Sequence, residues 1–412
     1  MDLTFARESG LGRLVARHSL GWFVAANLVG VWLATLLVWP RLGNFLAPLT
    51  YGRWVPLHLD WNLYGWCSLP LVGVLLTSCL DRRHPAVLAH ARVALGAWSL
   101  ALALGGVAWL GGVTSGKPFL EWQGWARPLL PYAMLMLWTV IAAHTWWRWP
   151  LLNRAGRSLR LLLLAGLLFV PSVILWASGQ TVYPAVNPDS GGATGAALLG
   201  STLGIVTVFG LLPQLCGMAR LRSTRWFWPA LGAAWLIFAL LDHGDASHHR
   251  LTQIVGLGLL LPWIPALAWY WRAFDWHPVT RPWLAAALAW WALLVASGWL
   301  TFLPGLSERL KFTSALVAHS HLAMAGLLTS LGGLILAELT GRHANRTAFI
   351  TWQAGVGVQV VVLLALGWNE LENPSIYYRS EAWPHALLLV RLAAGVAMTF
   401  ASLRWLKDFT AR

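Results

Sequence analysis

The stretch Thr313-Ser-Ala-Leu-Val-Ala-His319-Ser-His321-Leu-Ala-Met-Ala-Gly-Leu-Leu-Thr-Ser-Leu-Gly-Gly-Leu-Ile-Leu-Ala-Glu-Leu339 decides the fold. It is apolar for longer than a bilayer core of roughly 30 Å requires at about 1.5 Å per residue, so it reads as a membrane-spanning helix. Its two histidines stand two positions apart, which at about 100° per residue puts them on nearly opposite helix faces. An imidazole inside hydrocarbon is costly and usually faces a cavity, a cofactor or a partner group.

The rest of the chain repeats the pattern. Of 412 residues 58% are hydrophobic and 11% charged, with a mean hydropathy of +0.61, which excludes a set of soluble domains. Apolar stretches start near residues 20, 54, 88, 128, 159, 192, 226, 251, 281, 313, 347 and 383. The expectation is an all-α polytopic membrane protein of about twelve transmembrane helices, forming one transmembrane domain over residues 1–412. The first stretch, Leu20 to Pro40, lacks a small-residue cleavage site and reads as a retained helix.

The net charge of +14, from 29 Lys+Arg against 15 Asp+Glu, is scattered through short loops and forms no nucleic-acid patch. With the N-terminus cytoplasmic, 20 of these basic residues fall on the inner side and 8 on the outer, so both termini are expected inside. Arg379 and Arg412 are in that count. Cys67, Cys79 and Cys216 show neither CxxC nor CxxCH spacing, which excludes a disulfide scaffold and covalent c-type haem.

Few ionisable residues fall inside the apolar stretches. His58 lies near the outer start of the second, and His319 and His321 near the outer start of the tenth. Both stretches run from outside to inside, so His58 and His321 lie at similar depth. Two neutral imidazoles on separate helices are the usual way to hold a low-spin b haem, and His319, on the other face, is placed to ligate a second haem. Interfacial histidines are the alternative. Arg391 is the one basic residue placed inside a span, where a haem propionate would be a suitable partner. Between the seventh and eighth stretches the run Asp242-His243-Gly-Asp-Ala-Ser-His248-His249 suits copper, iron or zinc, with a hydrated turn as the alternative.

Four segments carry a resemblance: Tyr51-Gly-Arg-Trp-Val-Pro-Leu-His58, Thr114-Ser-Gly-Lys117 with Glu121-Trp122, Ala318-His319-Ser-His321-Leu322, and Val390-Arg391-Leu-Ala-Ala-Gly395. In this order they resemble the catalytic subunit I of the haem-copper oxidase superfamily, closest to the C-type (cbb-class) cytochrome c oxidases. The resemblance implies His58 and His321 as axial ligands of the low-spin haem b, His319 as proximal ligand and catalytic residue of a high-spin haem, and Arg391 as a counterpart of an arginine on the family's last helix.

It also exposes departures. The family binds copper through a histidine on span 6 and a His pair after span 7. Here Gly191 to Gly200 contains no histidine, and Leu241-Asp242 stand where the pair belongs. Span 7 has no tyrosine for the cross-linked redox residue, and span 6 lacks the glutamates of nitric oxide reductases. A standard copper site is therefore not expected, and His243, His248 and His249 are the residues left to bind copper.

The resemblance implies an oxidase-like subunit of a respiratory complex in a bacterial inner membrane. Other subunits and a c-type cytochrome or copper-protein donor would be its partners, with lipid around it and no nucleic acid. A nitric oxide or other small-ligand reductase, a non-catalytic dihaem electron-transfer or gas-sensing membrane protein, and a cofactor-free transporter stay open beside it.

Overall fold

The computed structural model describes residues 4–370, 372–373 and 381–411, so Arg379 and Arg412 of the charge balance lie outside the described residues. Within them the chain is helical, without a β-strand. The main helices are α1 (Leu11–Val38), α2 (Tyr51–Cys79), α3 (Val87–Leu110), α4 (Gly124–Leu151), α5 (Arg154–Ala177), α6 (Gly195–Leu215), α7 (Phe227–Ala239), α8 (Leu251–Trp271), α9 (Pro278–Leu300), α10 (Ser314–Thr340), α11 (Arg346–Glu370) and α12 (Ala382–Thr410).

Eleven of these, all but α7, are long and apolar enough to cross a membrane. At 13 residues and about 1.5 Å per residue, α7 falls short of the roughly 30 Å core. Only Leu240 and Leu241 separate α7 from the polar run that begins at Asp242, so the expected seventh span has little apolar sequence left to lengthen it. Helix α1 begins earlier than expected, because Gly10 at φ 79° supplies a left-handed entry and the helix takes in Arg13 and Arg17.

Local chemistry fixes several starts. The Asn153 side chain accepts from Gly156 N–H at 2.8 Å ahead of α5, and Thr194 accepts from Ala197 N–H at 3.2 Å ahead of α6. Thr313 accepts from Ala315 N–H at 3.2 Å ahead of α10. Each such cap contributes about 1 kcal/mol. Only 6% of the most apolar window of α5 is buried against protein, and Leu162, Phe169 and Trp176 stand exposed on it. A helix that apolar with so little cover belongs in lipid or against another apolar surface.

The chain groups into two compact units. The N-terminal unit comprises Asp2–Val182, Ile335–Trp352 and Gly395–Arg412, and the C-terminal unit comprises Tyr183–Leu334 and Gln353–Ala394. In the N-terminal unit Phe23 of α1 stacks on Trp66 of α2 at 4.2 Å and meets Trp352 at 4.8 Å, while Trp352 meets Trp405 at 5.3 Å. Glu338, buried, pairs with Arg7 at 3.5 Å. In the C-terminal unit α9 packs on α10, and two glycines admit tryptophans. A Cβ on Gly326 would fall 2.8 Å from Trp290, and one on Gly333 2.5 Å from Trp283.

Candidate functional site

His58 sits on α2 in the N-terminal unit, facing α1. Its Nδ1 lies 2.9 Å from the carbonyl oxygen of Ala26. A carbonyl only accepts, so Nδ1 carries the proton and Nε2 keeps the lone pair, as in a metal-ligating imidazole. The ring rests on Gly30, whose missing Cβ would come within 2.6 Å of Cε1. Directly after this turn α2 widens into a π-helix over Trp61–Cys67. The buried carboxyl oxygens of Asp60 and the indole N–H of Trp122, in the same unit, have no hydrogen-bond partner among the described residues. Native interiors rarely leave such groups unsatisfied without a reason.

The C-terminal unit repeats this construction. His321 Nδ1 lies 2.8 Å from the carbonyl oxygen of Val317, one turn back on α10, which again leaves the lone pair on Nε2. A second π-helix, Leu322–Leu328, follows at once. Such insertions occur often at functional sites. His319 Nδ1 lies 3.3 Å from Ser297 Oγ, and that hydroxyl donates to the Leu294 carbonyl at 3.2 Å, so it accepts from the imidazole. All three histidines thus share one tautomer.

His319 lines a cavity of about 280 Å³ inside the C-terminal unit, walled by Leu198, Leu257, Leu294, Trp299, Phe302 and other mostly apolar residues of α6, α8, α9, α10 and the segment joining α9 to α10. That exceeds the apolar cavity of about 150 Å³ that accepts benzene. Gly298 borders the ring, and a Cβ there would lie 3.1 Å from its Cε1. The cavity also holds Lys311, a residue that sequence reading counted only as an outer-loop charge. Among the described residues no carboxylate or hydrogen-bond acceptor pairs with its ammonium. Burial holds it below the usual lysine range. An apolar cavity with one imidazole and one unneutralised cation suits a flat, largely apolar ligand with an anionic edge.

Arg391, on α12, is partly buried, and its Nε donates to Gln359 Oε1 at 3.1 Å. Gln359 Nε2 in turn donates to the Arg391 carbonyl at 2.9 Å, so the expected buried arginine is held by a neutral amide on α11.

The loop cluster has a different membership from the one expected. His248 and His249 come together with Asp189, their ligand atoms all within 4.8 Å of one another. His243 does not join them; its ring packs on Phe238 at 4.7 Å. Where the copper-binding pair was sought, Leu241 packs toward Gly256, and exposed Asp242 bonds Arg250 at 2.8 Å. Sequence reading also missed a histidine group in the N-terminal unit. Fully buried His144 accepts from Asp81 N–H at 2.9 Å and shares a hydrogen bond with His90 at 3.1 Å, while His84 stacks on Trp147 at 4.2 Å.

No family model matches the chain, and no curated protein matches its sequence. Among solved structures, a haem-copper terminal oxidase dimer determined by cryo-electron microscopy is similar, with a TM-score of 0.53 at 12% identity, covering 97% of this chain and 84% of that one. The likeness establishes the fold alone: an all-α chain, with eleven helices long and apolar enough to cross a membrane among the described residues, built like a chain of that oxidase.

Proposed function

We propose that this protein is a haem-binding, oxidase-like subunit of a respiratory electron-transfer complex in a bacterial inner membrane, with both termini cytoplasmic. The observation that carries the reading is the cavity of the C-terminal unit, where His319 and Lys311 face the same apolar space. His319 would ligate a high-spin haem through Nε2, with its ring held by Ser297, and Lys311 would offset a propionate. His58 and His321 would hold a low-spin b haem, each turned by a backbone carbonyl into the ligating tautomer. Arg391, steadied by Gln359, would supply a further counter-charge. Bound haem supplies reversible one-electron chemistry and, at a five-coordinate iron, a position for a small ligand. Electrons would enter from an external c-type cytochrome or copper protein, alongside partner subunits.

Copper fits poorly at the family's position. Helix α6 has no histidine, and Leu241 and Asp242 offer one apolar side chain and one arginine-paired carboxylate. This favours, as a second reading, a dihaem electron-transfer or gas-sensing protein with slow or absent oxygen reduction.

The test is purification with native partners followed by a haem and metal count. One six-coordinate and one five-coordinate haem are expected. Carbon monoxide should perturb only the five-coordinate haem, and His319→Ala should abolish that response. Loss of the six-coordinate band should follow either His58→Ala or His321→Ala. A haem-free protein would sink the proposal and leave the transporter reading.

A further inference from the structure

Four side chains from three loops of the C-terminal unit converge outside the cavity. Asp189 precedes α6, His248 and His249 lie between α7 and α8, and Glu308 lies on the short helix Leu306–Leu310 between α9 and α10. Glu308 Oε1 stands 2.7 Å from His248 Nε2 and 3.0 Å from His249 Nε2. Asp189 approaches the same pair: its ligand atom and those of both histidines lie mutually within 4.8 Å, a triad that Glu308 adjoins through the two rings.

Each of these groups is also held from behind. Asn187 presents its amide to His248 Nδ1, with Nδ2 at 2.9 Å and Oδ1 at 3.3 Å, so it can serve either imidazole tautomer. Ser247 donates to Asp189, and Gly305 N–H donates to the second Glu308 oxygen at 2.6 Å. Outer partners that orient ligating groups are typical of metal sites. His248 is fully buried, while Asp189 and His249 are exposed and free to close in. Ligands at about 2.0–2.2 Å from a tetrahedral ion lie roughly 3.5 Å apart, so the Asp189, His248 and His249 triad needs a modest contraction and Glu308 a slight withdrawal from the two rings.

We propose that Asp189, His248, His249 and Glu308 form a binding site for a divalent transition-metal ion of the zinc class. Two neutral imidazoles and two carboxylates neutralise such an ion, and the nitrogen and oxygen donors suit it better than calcium or magnesium. In the metal-free arrangement a proton sits between each imidazole and Glu308. The ion takes that position, and each imidazole then carries its proton on Nδ1, His248 toward Asn187 Oδ1 and exposed His249 toward solvent. Binding would lock the helix that carries Glu308, three residues before Lys311, to the loops around His248 and Asp189. The site is independent of haem.

The test uses the full-length protein in detergent after chelator treatment, titrated with zinc chloride by calorimetry and with cobalt(II) by visible absorption. One ion per chain and tetrahedral cobalt bands are expected. His249→Ala and Glu308→Gln should each weaken zinc binding by roughly ten-fold or more. His243→Ala, a neighbouring loop histidine outside the group, should leave binding unchanged. His248→Ala risks misfolding because its ring is buried, so the exposed His249 and Asp189→Asn carry the test. Unchanged affinity in those two variants, equal competition by calcium, or loss of binding in His243→Ala would overturn the proposal.

Discussion

Substituting Gly30 by alanine perturbs His58 in a calculable way. The new methyl would stand 2.6 Å from Cε1 and 2.9 Å from Nδ1 of the imidazole, whereas ordinary contact begins near 3.4 Å. The ring must retreat from α1 by about 0.8 Å, and the 2.9 Å bond from Nδ1 to Ala26 then lengthens beyond hydrogen-bonding range. Losing that bond costs about 0.5–1.5 kcal/mol. Alanine in place of a helical glycine returns about 1 kcal/mol, so the two effects nearly cancel in stability. Position does not cancel, because a ligand must be held within about 0.5 Å of its working geometry. Gly30→Ala is therefore expected to melt within about a degree or two of the parent while losing most of the six-coordinate haem absorption. Gly21→Ala, on the same helix with nothing within 4 Å of the added carbon, should keep the absorption and show the propensity gain alone. An intact low-spin spectrum in Gly30→Ala, with melting equal to Gly21→Ala, would refute the account of His58.

Three other outcomes follow from the same geometry. Lys311→Met should act with opposite signs, raising the melting temperature of haem-depleted protein and hastening haem loss from the loaded protein. Because burial lowers the Lys311 pKa in the fold, its charge costs stability below that folded value, and the cost fades as pH rises toward the ordinary lysine value of 10.5. The gain from Lys311→Met, measured by melting across alkaline pH, should therefore shrink on approach to 10.5, and a pH-independent gain would contradict it. Gly298→Ala places a methyl 3.1 Å from His319 Cε1, so it should shift the carbon monoxide spectrum of the five-coordinate haem without removing it, a milder effect than Gly30→Ala. Arg391→Leu strips buried Gln359 Oε1 of its donor and should destabilise the protein by about 1–3 kcal/mol in a melting assay, with lowered haem retention.

The spans were legible because hydropathy needs no partner to be read, and lipid demands it of every crossing helix. Gly10 and α7 mark the edge of that legibility. A left-handed entry residue moved the start of α1 back from Leu20 to Leu11, about two and a half turns, and an apolar run of adequate composition proved too short to cross. The histidines were legible as costly residues in apolar surroundings. Their tautomers were not, since Ala26 and Ser297 are remote in sequence and carry no distinguishing side-chain pattern. Lys311 read as one loop charge among many, because only packing shows that its side chain lines the cavity that His319 lines. The loop cluster misled for a related reason. Proximity in sequence suggested His243, whereas the fold supplied Asp189 and Glu308 from loops roughly 60 residues away on either side.

The two π-helical turns connect these observations. Each inserts about one extra residue into its helix, turning everything downstream by roughly 100° relative to an uninterrupted α-helix. On α2 the turn separates His58, held against Ala26 and Gly30, from Gly73, which packs on Val15 and Leu339. On α10 it separates His321 from Gly333, against which Trp283 packs. Without the insertion, a helix whose lower half kept its glycine contacts would turn its histidine by about a quarter of a circle. The seating of the lower half and the aim of the imidazole are thus set independently on each helix. Uniformly apolar sequence conceals this, because an insertion in a helix that is hydrophobic all round leaves its hydropathy unchanged.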